Sequence, residues 1–302
     1  MHHGTVAVVS KDGALLASTG DIDQPFFLRS AAKPFQAFVS QEEGASLDLQ
    51  ELAMAASSHA GEPVHVALVE AMLDKAGLDG SALRCPPSWP HSETATARLR
   101  REGWSQPKRA WNNCSGKHAA WLRACRARGW PLDSYLAPDH SLQQRIIDEV
   151  AELGGFEVSP VGVDGCGAPV LRTTTRVMAL LYARLATQPR FEEVFTAMHR
   201  YPALVSGTGK GDAVVATALN AVAKRGAAGC LGVAIEGRLG IAVKSWDGIE
   251  EIATSAMIAT LAALGELPAH AAGLLTPLAR PKVLGGGQAV GELEPRVELR
   301  WA

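Results

Sequence analysis

The clearest strand signal in the chain is CLGVAIEGRLGIAV, residues 230–243. Two apolar runs in this stretch flank a short turn around Gly237, and such an arrangement predicts a β-hairpin. A second hairpin is predicted near the N-terminus, where residues 5–9 and 14–17 enclose a turn at Gly13. The two ends of the chain therefore both contribute strands.

Helix signals fill the region between the hairpins and continue after the second one. The first helix is predicted to begin with Ser30 as its N-cap and Pro34 in its first turn. Apolar spacing and terminal glycines predict the other helices over 63–75, 116–128, 141–153, 176–187, 191–199, 212–224 and 250–265. A closing strand is predicted over 290–299.

This order of elements predicts an α+β fold. Terminal strands can join one antiparallel sheet that helices flank, with a second helical region beside it. We expect residues 1–302 to form a single unit of two subdomains: a sheet from residues 1–30 and 228–302, and a helical region of roughly 45–225.

The composition excludes several classes of protein. The 302 residues include 29 Lys and Arg against 31 Asp and Glu, a formal net charge of −2. This balance leaves no basic stripe for nucleic acid and no polybasic anchor for a membrane. No segment resembles a signal peptide or a membrane span, and five cysteines are too few for a disulfide scaffold. We therefore expect a protein of the reducing cytoplasm.

A Ser-x-x-Lys pattern, Ser30 to Lys33, lies at the start of the first predicted helix. Side chains three residues apart share one face of a helix. A serine hydroxyl needs an adjacent base to become a nucleophile, and a lysine can serve when its pKa falls towards neutrality. The pattern taken alone is weak, because Ser-x-x-Lys often arises by chance as a capping serine and a solvated lysine.

Two glycine-rich segments contain thiols, NNCSGKH at 112–118 and DGCGAP at 164–169. The first is not a phosphate loop, because His118 stands where a Ser or Thr would hold magnesium. The spacing of Cys114 and Cys166 does not match a zinc finger. On the residues alone, these cysteines are either metal ligands or two small buried side chains.

Two further polar residues stand at the ends of predicted elements. Ser58 follows an apolar helix and is either a proton relay or part of an ordinary helix end. Lys244 ends the strongest strand, where its amine could enter a cleft or extend into solvent.

Six blocks of sequence together resemble one family, the Rhizobium-type (class 3) L-asparaginases, or asparaginase II. The blocks occur in the family's order over nearly the whole chain: RSAAKPFQ (29–36), SHAGEP (58–63), NNCSGKH (112–118), DGCGAP (164–169), SGTGKGD (206–212) and EGRLGIAVK (236–244). Each block is weak alone, but six in order are specific. The resemblance implies a fold similar to serine β-lactamases and penicillin-binding proteins, and hydrolysis of L-asparagine to L-aspartate and ammonia.

The resemblance also implies catalytic roles. Ser30 is expected to be the nucleophile and Lys33 its base, with Ser58 and Lys244 completing a second Ser–Lys pair. The resemblance also implies that the amines of Lys33 and Lys244 lie close together. We expect this proximity to lower both pKa values, because like charges disfavour double protonation.

A metal site and a substrate site follow from the same resemblance. One zinc ion per chain is expected on Cys114, Lys117 and Cys166, and Asp164 is expected to orient that site. The residues expected to bind substrate are Arg29, His59, Glu62, Asn113, Lys210 and Asp212.

The chain departs from the family pattern at two places. An N-terminal stretch of the family is expected to be missing ahead of His2, which concerns the pairing of the first strand rather than the catalytic set. Lys210 stands where the family usually has arginine. We expect altered substrate anchoring there, because lysine lacks the planar fork of donors that arginine offers.

Other functions stay open at this point. A β-lactamase or peptidase-like serine hydrolase shares the Ser-x-x-Lys pattern but does not explain Cys114, Lys117 and Cys166. A glutaminase substrate differs by one methylene, which a pocket separates by ~1–3 kcal/mol. A non-catalytic zinc- or amino-acid-binding protein would not need both Ser30 and Lys33. We expect a cytoplasmic homodimer that acts on a small molecule, with no nucleic acid or membrane partner.

Overall fold

The structure is a computed structural model that describes residues 1–302. Its α-helices are α1 (Lys33–Ser40), α2 (Leu49–Ala55), α3 (Pro63–Asp74), α4 (Glu93–Arg101), α5 (Ser115–Arg128), α6 (Ser141–Gly154), α7 (Thr175–Thr187), α8 (Glu192–Arg200), α9 (Pro202–Val205), α10 (Gly211–Leu219), α11 (Glu250–Ala263) and α12 (Ala272–Ala279). Its strands are β1 (Gly4–Ser10), β2 (Leu15–Thr19), β3 (Phe26–Phe27), β4 (Gly162–Val163), β5 (Pro169–Val170), β6 (Arg172–Thr173), β7 (Val222–Gly226), β8 (Cys230–Ile235), β9 (Leu239–Ser245), β10 (Lys282–Gly285), β11 (Gln288–Glu292) and β12 (Arg300–Trp301).

Six strands form one antiparallel sheet in the order β12-β2-β1-β9-β8-β7. Both predicted hairpins belong to it, as β1 with β2 and β8 with β9. The two hairpins meet where β1 pairs with β9, and Thr5 stands opposite Lys244. The predicted α+β class, an antiparallel sheet flanked by helices, is confirmed.

Helices cover both faces of this sheet. On one face, Ala7 and Ala242 belong to the larger core, which includes residues of α1, α5 and α7. On the other face, Val8, Val233 and Ile241 belong to a second core with residues of α10, α11 and α12. Because alternating side chains enter two cores, the strands are apolar on both sides, which explains their continuous apolar runs.

The predicted helices at 63–75, 116–128, 141–153, 176–187, 191–199 and 250–265 are confirmed as α3, α5, α6, α7, α8 and α11. The pattern misses α4, α9 and α12; α9 has only four residues and α12 contains Pro277. No helix combines the length and apolar character that crossing a bilayer requires. All five cysteines are buried free thiols.

The helix predicted over 212–224 is wrong in its second half. α10 ends at Leu219, Asn220 adopts the left-handed conformation with φ 53°, and the chain returns as edge strand β7. Asn in this conformation commonly terminates a helix. The correction moves Lys224 from a helix end onto a strand of the sheet.

The closing strand predicted over 290–299 is also wrong. β11 pairs with β10 in a separate exposed hairpin, and the main sheet is completed instead by β12 against β2. Pro295 interrupts the predicted run, because proline lacks the N–H group that a strand ladder requires.

Two glycines allow α7 to lie directly on the sheet. A Cβ atom at Gly240 would stand 2.1 Å from the backbone nitrogen of Ala183, and one at Gly232 would stand 2.3 Å from the ring of Tyr182. Neither position has room for a side chain, so the backbone of α7 packs on β9 and the Tyr182 ring packs on β8.

We predict that Gly240→Ala lowers the free energy of unfolding by at least about 1–3 kcal/mol, because the new methyl group must push α7 away from β9. Gly80 is the matched control, since a Cβ atom there meets nothing within 4 Å. Gly80→Ala should change stability by less than about 0.5 kcal/mol. Equal effects of the two variants in urea unfolding would contradict this packing.

Candidate active site

The turn that carries Ser30 differs from the predicted helix start. Ser30 does not cap a helix: Arg29–Ala32 form a 3-10 turn without a side-chain cap, and the N–H of Lys33 donates to the carbonyl oxygen of Ser30. Residues three apart are eclipsed in 3-10 geometry, so the two side chains project on the same side. Ser30 is partly exposed, whereas Lys33 is completely buried.

Arg29 connects this turn to residues 164–169, the segment that contains Cys166. Its φ of 52° is uncommon for a residue with a side chain, and such strain concentrates at functional sites. Its Nη2 atom lies 3.0 Å from Oδ1 of Asp164. The ion pair therefore joins two of the expected site residues across 135 positions of sequence, from 29 to 164.

The Lys33 amine has three polar partners. Its Nζ atom donates to Ser58 Oγ at 2.9 Å and to the carbonyl oxygen of Ser57, and it lies 3.3 Å from Cys114 Sγ. Burial lowers the pKa of Lys33, and the neighbouring charge of Lys117 acts in the same direction. A buried amine in contact with a hydroxyl meets the physical requirement for a lysine base.

The two thiols and Lys117 form one buried cluster. Cys114 and Cys166 hydrogen-bond to each other, and Lys117 Nζ lies 3.3 Å from Cys166 Sγ. The bond from Cys114, with help from the Lys117 charge, lowers the pKa of Cys166 to about 5. The same bond, together with burial, raises the pKa of Cys114 to about 12. Burial disfavours the charged form of Lys117, but the two nearby sulfurs favour it more strongly. The pKa of Lys117 is therefore raised.

The cluster matches the residues expected to hold zinc. It supplies two sulfur donors and one amine, and it lies against Lys33 through Cys114. No group of three or more His, Cys, Asp or Glu side chains forms a metal-binding cluster in the chain. An ion at this position would therefore need the lysine as its third protein ligand.

Lys244 makes its contacts outside this cluster. Its Nζ atom donates to the carbonyl oxygens of Ala228 and Ser245, and it lies 4.8 Å from the ring centre of Trp246. None of these groups touches Lys33. The amine of Lys244 therefore does not reach Lys33, contrary to the expectation from the sequence.

Lys224 lies beside the site, although its sequence pattern predicted only the end of a helix. It is completely buried on β7, and its Nζ atom stands 3.8 Å from Asp212 Oδ2. Burial lowers the pKa of Lys224 to about 7; the Asp212 carboxylate opposes the shift and the Lys33 charge adds to it. The left-handed Asn220 was the signal that could have separated this strand from α10.

His59 ties two loops together rather than facing a cleft. Its Nε2 atom bonds Ser115 Oγ at 2.8 Å, and its Nδ1 atom accepts from the N–H of Gly61 at 3.1 Å. Its backbone N–H donates to the carbonyl oxygen of Asn113, and the Asn113 side-chain oxygen lies 3.5 Å from Cys114 Sγ. Both ring nitrogens are engaged, so His59 has no free atom for the expected substrate contact.

The remaining expected residues lie at the starts of two helices, α3 and α10. Glu62 is the N-cap of α3 and Lys210 the N-cap of α10. A Cβ atom at Gly207 would stand 3.6 Å from both Glu62 Oε1 and Lys210 Cγ, so the two helix starts meet there. Asp212 is buried beside Lys224 and Arg225. Opposite charges therefore stand together at this side of the site.

The family expected from the sequence is confirmed. A family model described as L-asparaginase II matches residues 1–295. The chain therefore belongs to the L-asparaginase II family. No curated protein matches it.

Solved structures similar to this chain share little sequence with it. Mglu in its native form has 17% identity and a TM-score of 0.48, over 87% of this chain and 64% of that one. The probable glutaminase ybaS has 17% identity and a TM-score of 0.39, over 80% and 78% of the two chains. A Bacillus glutaminase has 13% identity and a TM-score of 0.39, over 87% and 91%. The chain spans less than two thirds of the length of Mglu in its native and glutamate forms, 64% and 61%.

The lowered pKa of Lys224 predicts a pH-dependent stability. Below about pH 7 the amine is protonated in both states, whereas between about 7 and 10.5 the unfolded chain holds a proton that the folded chain has released. The unfolding free energy of wild type relative to Lys224→Met should therefore rise with pH across this window, by at most about 1.4 kcal/mol per unit.

Urea unfolding of both proteins from about pH 6, just below this window, to about pH 9, within it, measures the difference. Lys282→Met is the control, because Lys282 is exposed on β10 and should give a difference that does not change with pH. A pH-independent difference for Lys224→Met would show that the buried amine keeps its proton.

Proposed function

We propose that the chain is an L-asparaginase that hydrolyses the side-chain amide of L-asparagine through an ester on Ser30. The observation that carries the proposal is the buried Lys33 amine, which follows Ser30 by one 3-10 turn and donates to Ser58 Oγ at 2.9 Å. Membership of the L-asparaginase II family supports an amide of an amino acid as the substrate.

Proton transfer begins at Lys33. In its neutral form this amine accepts the Ser30 proton, and Ser30 Oγ attacks the amide carbon. The positive end of α1 stabilises the oxyanion that forms. Ser58, which shares the Lys33 amine, relays a proton to the departing ammonia. The relayed proton comes from Lys33, which is then neutral again. Lys33 next takes a proton from the attacking water, and Ser30 Oγ recovers it when the ester bond breaks.

We assign to Lys224 the role that the family resemblance implied for Lys244. A lysine with a pKa of about 7 exchanges a proton readily at neutral pH. The charge of Lys33 lowers the pKa of Lys224. Because the effect of like charges is mutual, a protonated Lys224 also disfavours protonation of Lys33. We infer that Lys33 and Lys224 share the protons of the reaction.

The charged residues around Ser30 and at the starts of α3 and α10 suit an amino-acid substrate. The α-ammonium group of asparagine needs a carboxylate, which Glu62 or Asp212 supplies, and the α-carboxylate needs a cation such as Lys210 or Arg29. Pairing with Asp164 at 3.0 Å fixes the direction of the Arg29 side chain. The site thus combines both charges with a serine nucleophile.

Ser30→Ala tests the nucleophile. We predict that ammonia release from L-asparagine falls at least about 10³-fold, because only the attacking atom is removed. Ser40→Ala is the control: Ser40 is buried on α1 and donates to the carbonyl oxygen of Gln36. It should retain wild-type activity.

The substrate is tested in the same assay. Asparagine should be preferred over glutamine by roughly 10–200-fold in kcat/KM, the range that one methylene allows. A preference for glutamine would make the chain a glutaminase, and hydrolysis of a chromogenic β-lactam in place of both amides would overturn the proposal. Substantial activity in Ser30→Ala would remove Ser30 as the nucleophile.

We also propose that Cys114, Lys117 and Cys166 hold one zinc ion. The chemistry of the donors fits, because Cys166 is already a thiolate at neutral pH and sulfur is a preferred zinc ligand. Lys117 and Cys114 must lose their protons to bind, so affinity should rise with pH. A zinc ion there would hold residues 112–118 and 164–169 together and place a positive charge beside the substrate.

Elemental analysis of protein purified without chelator checks this site. We predict about one zinc per chain in wild type, and its loss in Cys166→Ala, because one sulfur donor is gone. Cys125→Ala is the control, since Cys125 is also buried but belongs to the middle of α5. Zinc retained by a Cys114→Ala/Cys166→Ala double variant would exclude this site.

A further inference from the structure

Tyr182 is a buried phenol that the proposed mechanism does not use. It lies on α7, exposes no surface, and its hydroxyl donates to the carbonyl oxygen of Ala31 at 3.0 Å and to that of Lys224 at 3.4 Å. A phenol has one proton, so this proton is shared between the two carbonyl groups. Ala31 belongs to the turn between Ser30 and Lys33, and Lys224 belongs to β7. One hydroxyl therefore bridges the two segments that carry the proposed proton-transfer groups.

Close packing on two sides of the Tyr182 ring restricts the position of its hydroxyl. One side of the ring rests on Gly232, where a Cβ atom would stand only 2.3 Å from it. Another side meets Phe35 edge to face, with ring centres 6.1 Å apart and planes at 87°. Packing of this kind leaves a side chain a single rotamer. Phe35 itself lies on α1, two residues after Lys33.

The two bridged segments are already in close contact at a second point. A Cβ atom at Gly226, at the end of β7, would stand 2.7 Å from the carbonyl oxygen of Leu28 and 3.1 Å from the nitrogen of Ala31. Only a residue without a side chain allows the strand to lie this close to the turn. Gly226 permits the approach, and the Tyr182 hydroxyl is placed to set its distance.

We propose that Tyr182 is a positioning residue whose hydroxyl fixes the separation between the turn that holds Ser30 and Lys33 and the strand that holds Lys224. This inference rests on the proposed function, because it assumes that Ser30 is the nucleophile and that both lysines serve it. Displacements of about 1 Å in such a site can lower a rate by 10²-fold. Loss of one bridging bond should therefore affect the reaction more than the stability.

The test uses a reagent that does not depend on the natural substrate. Phenylmethylsulfonyl fluoride sulfonylates an activated serine: the Oγ–S bond forms, fluoride leaves, and the serine proton passes to the base. We predict that Tyr182→Phe labels Ser30 about tenfold more slowly than wild type. Intact-protein mass gives the rate and peptide mapping identifies the residue. With L-asparagine, kcat should fall by a similar factor and KM should change by less than about twofold.

Ser255→Ala is the matched control. Ser255 is buried on α11, on the opposite face of the sheet, and its hydroxyl also donates to a backbone carbonyl, that of Ala279. It should lower the melting temperature about as much as Tyr182→Phe while labelling at the wild-type rate. Equal slowing in both variants would reduce Tyr182 to a general structural role.

A double variant decides whether Tyr182 acts through the strand. In the Lys224→Met background the separation no longer matters, so adding Tyr182→Phe should slow labelling by less than about twofold. The full tenfold effect in that background, or wild-type labelling in Tyr182→Phe alone, would overturn the proposal. Failure of the proposed function looks different: wild-type Ser30 would not be labelled at all, and the positioning role would fall with it.

Discussion

Burial of two lysine amines is the constraint on which this site depends. Lys33 and Lys224 expose no surface, and a charged amine in such a place costs several kcal/mol unless it is paired or neutral. The chain meets this cost with polar partners: Ser58 and the Ser57 carbonyl for Lys33, and Asp212 for Lys224. Because these partners only partly offset burial, both amines have lowered pKa values. An amine in this state can exchange a proton with a hydroxyl group.

The fold serves this arrangement through close backbone contacts. Antiparallel strands from the N-terminal and C-terminal parts of the chain build one sheet, and its edge strand β7 brings Lys224 towards the turn that contains Ser30. Gly226 lets that strand reach the turn, and Gly232 and Gly240 let α7 settle on the sheet behind it. Side chains at these three positions would hold apart the elements that form the site. The catalytic proposal therefore depends on glycines that take no part in chemistry.

The thiol cluster next to Lys33 contains a further buried amine, that of Lys117. Lys117 is fully enclosed, yet its pKa is raised because two sulfurs lie beside it. A hydrogen bond from Cys114, together with the charge of Lys117, lowers the pKa of Cys166 and so favours its thiolate form. A cation and a thiolate thus stabilise each other in a buried place, and the same donors suit a soft metal ion. The cluster touches Lys33 through Cys114, which joins the two parts of the site.

The sequence by itself determined the fold class, the family and most of the elements. Hairpins around Gly13 and Gly237 and the helices with clear end signals were predictable because turns and caps are local chemistry. The six blocks in order identified Ser30, Lys33, Ser58 and the thiols as neighbours, and the structure brings Lys33, Ser58 and Cys114 into contact. Local patterns sufficed wherever a residue's role depended on its own segment.

Only the tertiary structure decided which second lysine approaches Lys33. Lys244 stands at the end of the strongest strand, but its amine turns to the backbone of Ala228 and the ring of Trp246. Lys224 followed an apolar helical pattern, yet Asn220 breaks the helix and the residue becomes part of an edge strand. The direction of a side chain on a sheet depends on strand register and on which helix covers that face. Both are set by long-range packing, which no local pattern in the sequence contains.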